Sequence, residues 1–374
     1  MIYLDISAAV HSRAGLGRYS EQLASTLLVE NPQQISLFYN QGPDGQFPPS
    51  LPSASRRRSV QLSYKPWRMA ILAGHKSHIP FNRLVPDATL FHSTEHLLMP
   101  LRGVPTVLTV HDLIFKQFPA YHKRLNYWYL NQAMPLFCQK ADAIIAVSEA
   151  TKRDIINNYG ITSSKIHVVY EAASPHFQPP PSDMINRVRQ KYGLPGQFLI
   201  HLSTIEPRKN LDRLLDALLA LRHSFPKLVL VLAGGKGWLY EDFFERIKAD
   251  GLSDIVLPLG WVPDEDLPSV LAAADLAVQP SLYEGFGLPI LEHMASGQVV
   301  AASKSSSFPE VGGDAAAYFD PTNVEEMTAV IKHLLKDRDE YMHRRELGLV
   351  QAGKFSWKRA AKETTAVYDK LLAS

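Results

Sequence analysis

Two glutamates and two glycines lie within one short stretch and supply groups that bind phosphates and hydroxyls. Glu284 is followed by Gly285 and Gly287, then by Pro289 at the start of a predicted helix that carries Glu292. An apolar, strand-like run comes before them, so the glycines fall at a strand-to-helix turn, where backbone N–H groups and the positive helix end bind phosphate. Carboxylates accept hydrogen bonds from sugar and ribose hydroxyls. A helix start with two surface acids is the simpler interpretation, and a nucleotide-sugar site is the more specific one.

Positively charged residues follow another apolar run, Phe198–Ser203. Arg208 and Lys209 come shortly after it, at the carboxyl end of a predicted strand. Such a pair can neutralise a diphosphate and stabilise the charge that develops as a sugar departs. A solvated loop with two cations is the alternative. Gly234 and Gly235 follow the next apolar run and predict either a flexible turn or a loop that lines the nucleotide pocket.

The chain is long enough for two domains, each with a hydrophobic core. It has 374 residues, of which 46% are hydrophobic and 20% charged, as in ordinary globular proteins. A single cysteine, Cys138, excludes an internal disulfide framework and a cysteine-based zinc site. The lack of a long apolar run and of a basic leader predicts a cytoplasmic protein. Residues 1–178 carry 17 Lys and Arg against 11 Asp and Glu, which favours an acidic partner for the first half.

Strand-like and helix-like segments alternate along most of the chain, which predicts mostly parallel sheets covered by helices on both faces. The predicted strands are Ile2–Ser7, Ile35–Tyr39, Val60–Ser63, Thr89–His92, Val104–Val110, Ala143–Val147, Ile166–Tyr170, Phe198–Ser203, Leu228–Ala233, Ile255–Leu259, Leu276–Gln279, Val299–Ala302 and Ala316–Phe319. The predicted helices include Gly17–Leu28, Tyr127–Gln139, Glu149–Tyr159, Leu211–His223, Glu241–Ala249, Glu265–Ala274 and Ser356–Leu372.

A run of prolines that begins at Pro179 interrupts this alternation. Consecutive prolines continue neither a helix nor a central strand, so they predict a stiff connector. The predicted organisation is α/β, with one doubly wound domain over 1–178, a hinge over 179–183, a second such domain over 184–355 and a final helix over 356–374. Because ligands of these domains bind beyond the carboxyl ends of the strands, a cleft between the domains is the expected active site.

Two of these stretches also resemble a known family. The string Glu-Pro-Arg-Lys-Asn at 206–210, and Glu284 separated by seven residues from Glu292 with Gly-Phe-Gly-Leu-Pro between them, resemble the signatures of the retaining glycosyltransferases of family 4. The resemblance implies the GT-B fold, two facing Rossmann-like domains with an interdomain cleft, and a last helix that crosses back onto the first domain. It also implies that Glu292 binds the ribose and Glu284 the hexose hydroxyls, while Arg208 and Lys209 stabilise the departing diphosphate. The backbone amides assigned to the same phosphates are those of Gly285, Phe286, Gly287 and Leu288.

The Gly15-Leu-Gly-Arg-Tyr19 string follows the first predicted strand and opens a helix. A dinucleotide fingerprint is disfavoured because Ser20 stands where a third glycine is needed and no ribose-binding acid follows the second strand. The string resembles the family's Gly-Gly-Ile-Gly-Arg-Tyr loop, which closes over the donor, although an alanine replaces the first glycine. The resemblance implies donor contacts for Gly15 and Gly17, and acceptor-side positions for Arg18 and Tyr19.

Histidines end two predicted strands of the first domain. His111 and Asp112 follow Val104–Val110, and His92 closes Thr89–His92. A lone histidine is usually a hydrogen-bonded structural residue. In the family, however, a His-Asp pair at this place lies beside the transferred sugar. The resemblance therefore implies a catalytic position for His111 and an acceptor-side position for Asp112, and His92 is a weaker acceptor-side candidate.

Two further charged segments have competing interpretations. Residues 56–83 are basic and amphipathic, which fits either an anionic surface at the inner face of a membrane or a helix packed on its own domain. Asp264, Glu265 and Asp266 open a predicted helix, so an N-cap by Asp264 is favoured over a divalent metal site. The modest net charge of +2 and the lack of a recognisable module disfavour nucleic acid as a partner.

These features predict a retaining hexosyltransferase that uses a nucleotide sugar. The resemblance is strongest to bacterial mannosyltransferases that build surface polysaccharides, so GDP-mannose is the first donor expected and UDP-sugars remain open. The acceptor would be a hydroxyl of a glycan, a lipid-linked molecule or a small molecule. No cofactor, essential metal or dedicated base is expected, because in the family the leaving phosphate takes the acceptor's proton. A nucleotide-sugar epimerase on the same fold and a catalytically silent sugar-nucleotide-binding regulator are the alternatives.

Overall fold

The computed structural model describes residues 1–11, 14–43 and 45–373, and the chain divides into two compact units. The first unit contains Met1–Glu171 and the C-terminal segment from Ser356, and the second contains Ala172–Phe355. Pro179 and the other residues of the predicted hinge lie near the start of the second unit. That they act as a hinge stays a prediction.

The first unit is built on one seven-stranded parallel sheet in the order β3-β2-β1-β4-β5-β6-β7. Its strands are β1 (Ile2–Asp5), β2 (Ile35–Asn40), β3 (Arg57–Val60), β4 (Leu90–Ser93), β5 (Thr106–Val110), β6 (Ala143–Ala146) and β7 (Ile166–Val168). Its helices up to residue 171 are α1 (Ser7–Val10), α2 (Ala14–Glu30), α3 (Tyr64–Lys76), α4 (Ile114–Gln117), α5 (Arg124–Lys140) and α6 (Glu149–Tyr159).

The second unit is built on a six-stranded parallel sheet in the order β10-β9-β8-β11-β12-β13. Its strands are β8 (Phe198–Leu202), β9 (Val229–Ala233), β10 (Val256–Gly260), β11 (Leu276–Gln279), β12 (Val300–Ser303) and β13 (Ala317–Phe319). Its helices are α7 (Ser182–Tyr192), α8 (Leu211–Leu221), α9 (Glu241–Ala249), α10 (Leu267–Ala272), α11 (Leu288–Ala295), α12 (Phe308–Gly312), α13 (Val324–Lys336) and α14 (Arg338–Ala352). The C-terminal helix α15 (Trp357–Leu372) belongs to the first unit.

Both sheets reverse their strand order once, which is the mark of a doubly wound α/β fold. β1 lies beside β4 as well as β2, and β8 lies beside β11 as well as β9, always in parallel pairs. The loops that leave the carboxyl ends of such a pair diverge to opposite faces of the sheet and open a crevice that binds ligands. The predicted fold class is therefore confirmed for both units.

Apolar periodicity explains why these elements form. The six residues of β2 are all buried, as expected for a central strand covered on both faces. Helix α8 repeats leucine at helical spacing, and Leu214, Leu215 and Leu218 are fully buried in the core of the second unit. Cys138 is buried in the core of the first unit.

Most predicted boundaries differ from the observed ones by one to three residues, and two of these differences have a clear physical cause. The predicted strand Val60–Ser63 begins earlier, as the edge strand β3, because an edge tolerates the exposed arginines that disguised it. The predicted N-cap at Asp264 is wrong, since α10 begins at Leu267 and Asp266 occupies the N-cap position. The Asp266 carboxylate instead accepts hydrogen bonds from Lys191 Nζ at 2.5 Å and the Tyr192 hydroxyl at 2.6 Å.

Candidate active site

The predicted donor residues of the second unit lie beyond the carboxyl ends of two neighbouring strands. β8 is followed by Arg208 and Lys209, and β11 is followed by Glu284. Because β8 and β11 are paired in parallel, both loops leave the same edge of the sheet at its switch point. The structure thus brings together three side chains that are far apart in the sequence.

Asn210 fixes the loop that carries the two cations. It ends a single 3₁₀ turn, Pro207–Lys209, and adopts the left-handed backbone conformation with φ of 59°, which asparagine tolerates better than most residues. Its Nδ2 donates to the carbonyl oxygens of Pro280, at 3.0 Å, and Pro321, at 2.7 Å. The turn is therefore held against the loops that follow β11 and β13.

Four charged side chains contact one another, and we call Glu206, Arg208, Lys209 and Glu284 the charge cluster. Lys209 Nζ lies 2.6 Å from Glu284 Oε1, and Arg208 Nη1 lies 2.9 Å from Glu284 Oε2. Arg208 Nη2 pairs with Glu206 Oε1. The exposed fractions of the four side chains lie between 3% and 13%. Two cations and two carboxylates are therefore gathered in a largely desolvated place.

The members of the charge cluster shift one another's pKa. Burial alone would raise the pKa of Glu284, but the Arg208 and Lys209 charges outweigh it and lower this pKa to about 2. Burial lowers the pKa of Lys209, with Arg208 adding to the effect and Glu284 opposing it. Burial also raises the pKa of Glu206, against the nearby cations. Glu284 is ionised at neutral pH, whereas the Lys209 ammonium lies in an environment that a further anion would improve.

Serine side chains fix the backbone of the loop after β11. Ser306 Oγ accepts the N–H of Glu284 at 2.9 Å, and Ser307 Oγ donates to the carbonyl oxygens of Phe286, at 2.6 Å, and Glu284, at 3.0 Å. The residue that contacts both cations is thus held through its backbone as well as its carboxylate.

The same loop turns sharply into α11 at Gly287. Its φ is +109°, and a Cβ there would lie 2.8 Å from the ring of Phe308, so a side chain would meet both strain and a clash. Leu288 then begins α11, which places the predicted phosphate-binding amides, including that of Gly285, at and just before a helix N-terminus. Glu292 lies in the second turn of this helix and is 3% exposed.

The glycine loop after β9 packs against the loop that carries the cations. Gly234 has φ of +135°, and a Cβ there would lie 2.0 Å from the carbonyl oxygen of Ser203. Ile205 and Lys236 form a parallel bridge between the two loops. At Gly235, by contrast, a Cβ would meet no atom within 4 Å. Gly234 is therefore required by close backbone approach, and Gly235 borders open space.

In the first unit, the glycine string lies within the first turns of α2, as the sequence predicts. A Cβ at Gly17 would lie 3.1 Å from the carbonyl oxygen of Ala8, because α1 and α2 pack closely there. Gly15 is exposed, Arg18 is half-buried and Tyr19 is 1% exposed. Gly17 therefore serves helix packing, and the predicted donor and acceptor contacts of the string stay predictions.

His111 is buried beyond the carboxyl end of β5 with both ring nitrogens engaged. Its Nε2 lies 2.9 Å from the carbonyl oxygen of Thr94, and its Nδ1 lies 3.0 Å from Glu171 Oε1. Since a carbonyl oxygen only accepts, Nε2 carries a hydrogen and cannot take a proton. Burial opposes a charge on the ring, but Glu171 outweighs it and raises the pKa of His111. The ring also packs edge-on against Tyr19, with centroids 4.6 Å apart.

The predicted acceptor-side residues His92 and Asp112 form hydrogen bonds within the first unit. His92 is fully buried, with Nδ1 2.6 Å from the Tyr368 hydroxyl and Nε2 2.8 Å from Thr109 Oγ1. Burial lowers the pKa of His92 to about 3, so the ring is neutral. This interior placement gives no support to the predicted acceptor contact. Asp112 accepts the N–H of Ile114 at the start of α4, at 3.0 Å.

Three residues of these networks escaped sequence reasoning. Glu206 stands inside the 206–210 string, but the motif gives it no role of its own. Glu171 directly follows a predicted strand of the first unit. This position indicates the same edge of the sheet as His111, but it does not indicate that the two side chains meet. Tyr368 gave no signal, because 276 residues separate it from His92.

Within residues 1–11, 14–43 and 45–373, no group of three or more His, Cys, Asp or Glu side chains could hold a metal ion. The expectation that no metal is needed stays a prediction. No helix in the described part of the chain is both long and apolar enough to cross a bilayer.

Comparison with known proteins assigns the chain to a family. It is 32% identical to O-antigen chain mannosyltransferase B of Escherichia coli over 374 residues, which cover 96% of each chain. The chain belongs to the group 1 glycosyltransferases. The profile described as glycosyl transferases group 1 matches residues 185–348, and that described as glycosyltransferase family 4 matches residues 14–176. The chain is thus a glycosyltransferase, and the predicted family is confirmed.

Other relatives of this glycosyltransferase agree in fold or in sequence. A GDP-mannose-dependent α-(1-6)-phosphatidylinositol monomannoside mannosyltransferase of Mycolicibacterium smegmatis is 31% identical over 208 residues, 53% of this chain and 54% of that protein. Sucrose-phosphate synthase from Thermosynechococcus elongatus superposes with a TM-score of 0.79 at 17% identity, covering 100% and 99% of the two chains. HepE of Anabaena, in complex with UDP and glucose, has a TM-score of 0.74 at 19% identity, covering 98% of each chain. These likenesses confirm the GT-B fold.

Proposed function

We propose that this glycosyltransferase transfers mannose from GDP-mannose, with retention of configuration, to a hydroxyl of a glycan or lipid-linked acceptor. The observation that carries the proposal is the charge cluster, in which Arg208, Lys209 and Glu284 meet at the switch point of a nucleotide-binding type of sheet. The names of the mannosyltransferase relatives support the sugar, and one of them supports the nucleotide.

In the proposed complex, the diphosphate of the donor contacts Arg208 and Lys209. The burial that lowers the pKa of Lys209 disfavours its charge, so an anionic ligand that supplies a counter-charge binds with extra stabilisation. The amides at the start of α11, from Gly285 to Leu288, take the remaining phosphate oxygens. The same contacts stabilise the charge that develops as the sugar departs.

The two glutamates of the motif bind hydroxyls in this proposal. Glu284 takes hydroxyls of the hexose and Glu292 those of the ribose, since ionised carboxylates accept strong hydrogen bonds from O–H groups. The lowered pKa of Glu284 keeps it ionised, so it acts as an acceptor and not as an acid at neutral pH. Its two cation partners hold the carboxylate in one orientation.

Proton transfer in the proposed mechanism is assigned to the leaving phosphate. The acceptor hydroxyl attacks the face of the sugar from which the nucleotide leaves, and the leaving phosphate oxygen takes its proton. His111 is not assigned as a base, because its Nε2 already donates to the carbonyl oxygen of Thr94 and its Nδ1 pairs with Glu171. A contact between His111 and the sugar stays a prediction. No metal or cofactor takes part in the proposed steps.

A donor screen tests this proposal. GDP-mannose, GDP-glucose, UDP-glucose and UDP-galactose are compared at equal concentration by their effect on thermal unfolding, because a ligand that binds only the folded state stabilises it more the further its concentration exceeds its Kd. The strongest binder is then incubated without acceptor to measure slow hydrolysis. GDP-mannose is expected to stabilise most and to release GDP and mannose.

The outcomes separate the competing functions. Stabilisation by a UDP-sugar alone would replace the proposed donor. Conversion of the donor into an epimeric nucleotide sugar would identify an epimerase. Binding without any turnover, even with a range of glycan acceptors, would identify a silent regulator.

Peripheral contact with a membrane is a second part of the proposal. Helix α3 buries Trp67, Ile71 and Leu72, which accounts for its amphipathic pattern by packing on its own unit. Met69 and Ile79 nevertheless remain about half exposed, at 49% and 57%. The exposed cations of residues 56–83 are Arg56, Arg57, Arg58, Lys65, Lys76 and Arg83. Co-sedimentation with phosphatidylglycerol vesicles, but not with phosphatidylcholine vesicles, is expected and should weaken at high salt.

A further inference from the structure

A recess of about 370 Å³ lies in the second unit, away from the charge cluster. Gln197 and Asp275 line it, and these residues directly precede β8 and β11. The recess is therefore at the amino ends of the two strands whose carboxyl ends lead to the charge cluster. Because the strands are parallel, the two places lie at opposite edges of one sheet.

Three arginines from two helices line this recess: Arg189 of α7, and Arg338 and Arg345 of α14. Arg189 Nη1 donates to the carbonyl oxygen of Pro195 at 2.9 Å, and its Nη2 donates to that of Ala273. Arg345 Nε donates to the carbonyl oxygen of Gly297 at 2.9 Å. These bonds hold two guanidinium groups in place.

Many of the guanidinium donors remain unused. In the described part of the chain, neither Nη atom of Arg345 and no nitrogen of Arg338 has a hydrogen-bond or ion-pair partner. The Arg338 guanidinium lies over the ring of Tyr341, 5.1 Å from its centroid. The Tyr341 hydroxyl in turn donates to Gln298 Oε1 at 2.7 Å, so the ring that supports Arg338 is itself fixed.

The charge in the recess is unbalanced. Asp275 is the acidic residue of its lining, and its Oδ2 accepts the N–H of Phe198 at 2.7 Å. Burial raises the pKa of Asp275 and so works against its negative charge. The lining therefore has three guanidinium groups and one carboxylate, and that carboxylate already accepts a backbone hydrogen bond. Guanidinium groups with free forks match phosphate oxygens in geometry and charge.

Helix capping explains only part of this arrangement. Arg189 and Arg345 contact carbonyl oxygens at the C-terminal ends of α10 and α11, where cations are favourable. Capping gives no role to Arg338 or to the Nη atoms of Arg345. Gly297 has φ of +78°, which favours glycine, and a Cβ there would be in ordinary contact with Arg345 Nη2 at 3.4 Å.

We propose that the recess binds the phosphate group of a small molecule at a second site, distinct from the donor site. Arg338 and Arg345 supply the free donors, and Arg189 completes the positive field. The recess also has apolar walls, formed by Ile185, Leu334, Leu335 and Met342. The phosphate can belong to a free phosphorylated molecule or to a lipid headgroup, and the experiment below separates these sources.

The test compares Arg338→Gln with Lys336→Gln during titration with inorganic phosphate at constant ionic strength, followed by thermal unfolding. Arg338 is exposed and makes no hydrogen bond or ion pair within the described residues, so its replacement is expected to preserve the fold, and Lys336 is an exposed cation nearby that does not line the recess. Both changes are made in a Lys209→Met background, because the proposed donor site also attracts phosphate. The apparent phosphate dissociation constant is expected to rise about tenfold in Arg338→Gln and to stay unchanged in Lys336→Gln.

A parallel arm uses phosphatidylglycerol vesicles with the same variants. Vesicle binding that depends on Arg338, without an effect of inorganic phosphate, assigns the phosphate to a lipid. If neither phosphate nor vesicles distinguish Arg338→Gln from Lys336→Gln, the proposed site does not exist. Loss of donor turnover in Lys209→Met leaves this readout unaffected, so the second site and the proposed reaction fail separately.

Discussion

Each unit places charged side chains at the carboxyl ends of its strands, but the two units satisfy these charges in different ways. In the first unit, His111 is enclosed by a carbonyl oxygen and by the carboxylate of Glu171, which together use both ring nitrogens. In the second unit, Lys209 and Arg208 share the carboxylate of Glu284. The first arrangement is complete without a ligand. The second contains a buried lysine whose charge an incoming anion would stabilise, so it is the one that suits a donor site.

The largest expected effect is the loss of turnover in Lys209→Ala. If Lys209 stabilises the leaving diphosphate, its removal lowers kcat by about two to three powers of ten, by analogy with the loss of one preorganised electrostatic donor. Donor hydrolysis or transfer is measured at saturating donor. Lys227→Ala, which removes an exposed lysine of the same unit, is the control and should leave kcat unchanged. Equal rates in the two variants would remove Lys209 from the mechanism.

The next largest effect is a loss of stability in Glu284→Gln, which tests whether the charge cluster stabilises the fold. The pKa of Glu284 is about 2 in the folded state, below its ordinary value of 4.5. A lowered folded pKa stabilises the protein above the ordinary pKa, and this stabilisation is lost as the pH falls toward 2. Glu284→Gln should therefore lower the free energy of unfolding at pH 7 by roughly 3 kcal/mol. Urea unfolding at neutral and acidic pH measures it.

The pH dependence provides the sharper criterion for Glu284→Gln. The difference between wild type and variant should shrink between about pH 5 and pH 2, because the wild-type carboxylate loses its charge over that range. Glu245→Gln, which removes an exposed carboxylate of α9, should show neither the loss at pH 7 nor the convergence. A constant difference at all pH values would mean that the Glu284 charge contributes nothing to folding.

The charge cluster of the second unit was easier to predict from the sequence than the hydrogen-bond network of the first unit. Apolar runs predicted β8 and β11, and charged residues directly after both runs had to meet once the strands were adjacent and parallel. That adjacency is a property of the strand order, which the alternation alone does not fix. The family resemblance assigned Arg208, Lys209 and Glu284 to one donor molecule, and the strand order of the structure shows how they meet.

The network of the first unit depends on partners without a local signal. His92 contacts Tyr368 across most of the chain, and no periodicity connects a residue of β4 with one of α15. The glycine string was expected to open a helix, but the close packing of Gly17 on Ala8 had no signal in the sequence. Long-range packing of this kind is decided by tertiary structure, so sequence patterns could give the histidines a position but not their partners.

A third prediction tests whether Glu171 stabilises a protonated His111 in the absence of any ligand. Its folded pKa is raised above the ordinary value of 6.5, so the pair stabilises the protein below that value and the stabilisation is lost as the pH rises through the folded pKa. Glu171→Gln removes the charged partner and should destabilise the protein by about 2 kcal/mol at pH 6. The loss should diminish at alkaline pH, opposite to the trend for Glu284→Gln. Thermal unfolding from pH 6 to pH 9 measures this.

Glu30→Gln is the control for that prediction, because Glu30 is an exposed residue at the end of α2. A loss in Glu171→Gln that grows with pH would contradict a protonated His111. The opposite signs expected for the two units make the comparison independent of any general effect of pH on stability.

The smallest expected effect concerns the neutral part of the first unit's network. Burial keeps the pKa of His92 at about 3, so its ring is neutral and one nitrogen must accept a hydrogen bond. Nε2 faces Thr109 Oγ1 at 2.8 Å, and Nδ1 lies 2.6 Å from the Tyr368 hydroxyl, a polar contact that joins α15 to β4. Tyr368→Phe leaves a ring nitrogen without a partner in the interior and should cost about 1 kcal/mol.

Tyr159→Phe is a matched control for Tyr368→Phe, since the buried Tyr159 hydroxyl has no hydrogen-bond partner among the described residues. Its loss should be neutral or slightly stabilising in urea unfolding. If both changes cost the same, hydroxyl burial and not the bond to His92 explains the stability of this region. A cost confined to Tyr368→Phe would instead show that the C-terminal helix is fastened to the first sheet by a neutral hydrogen bond. That bond, unlike the charge cluster of the second unit, should be insensitive to salt and to pH between 5 and 8, because neither partner titrates there.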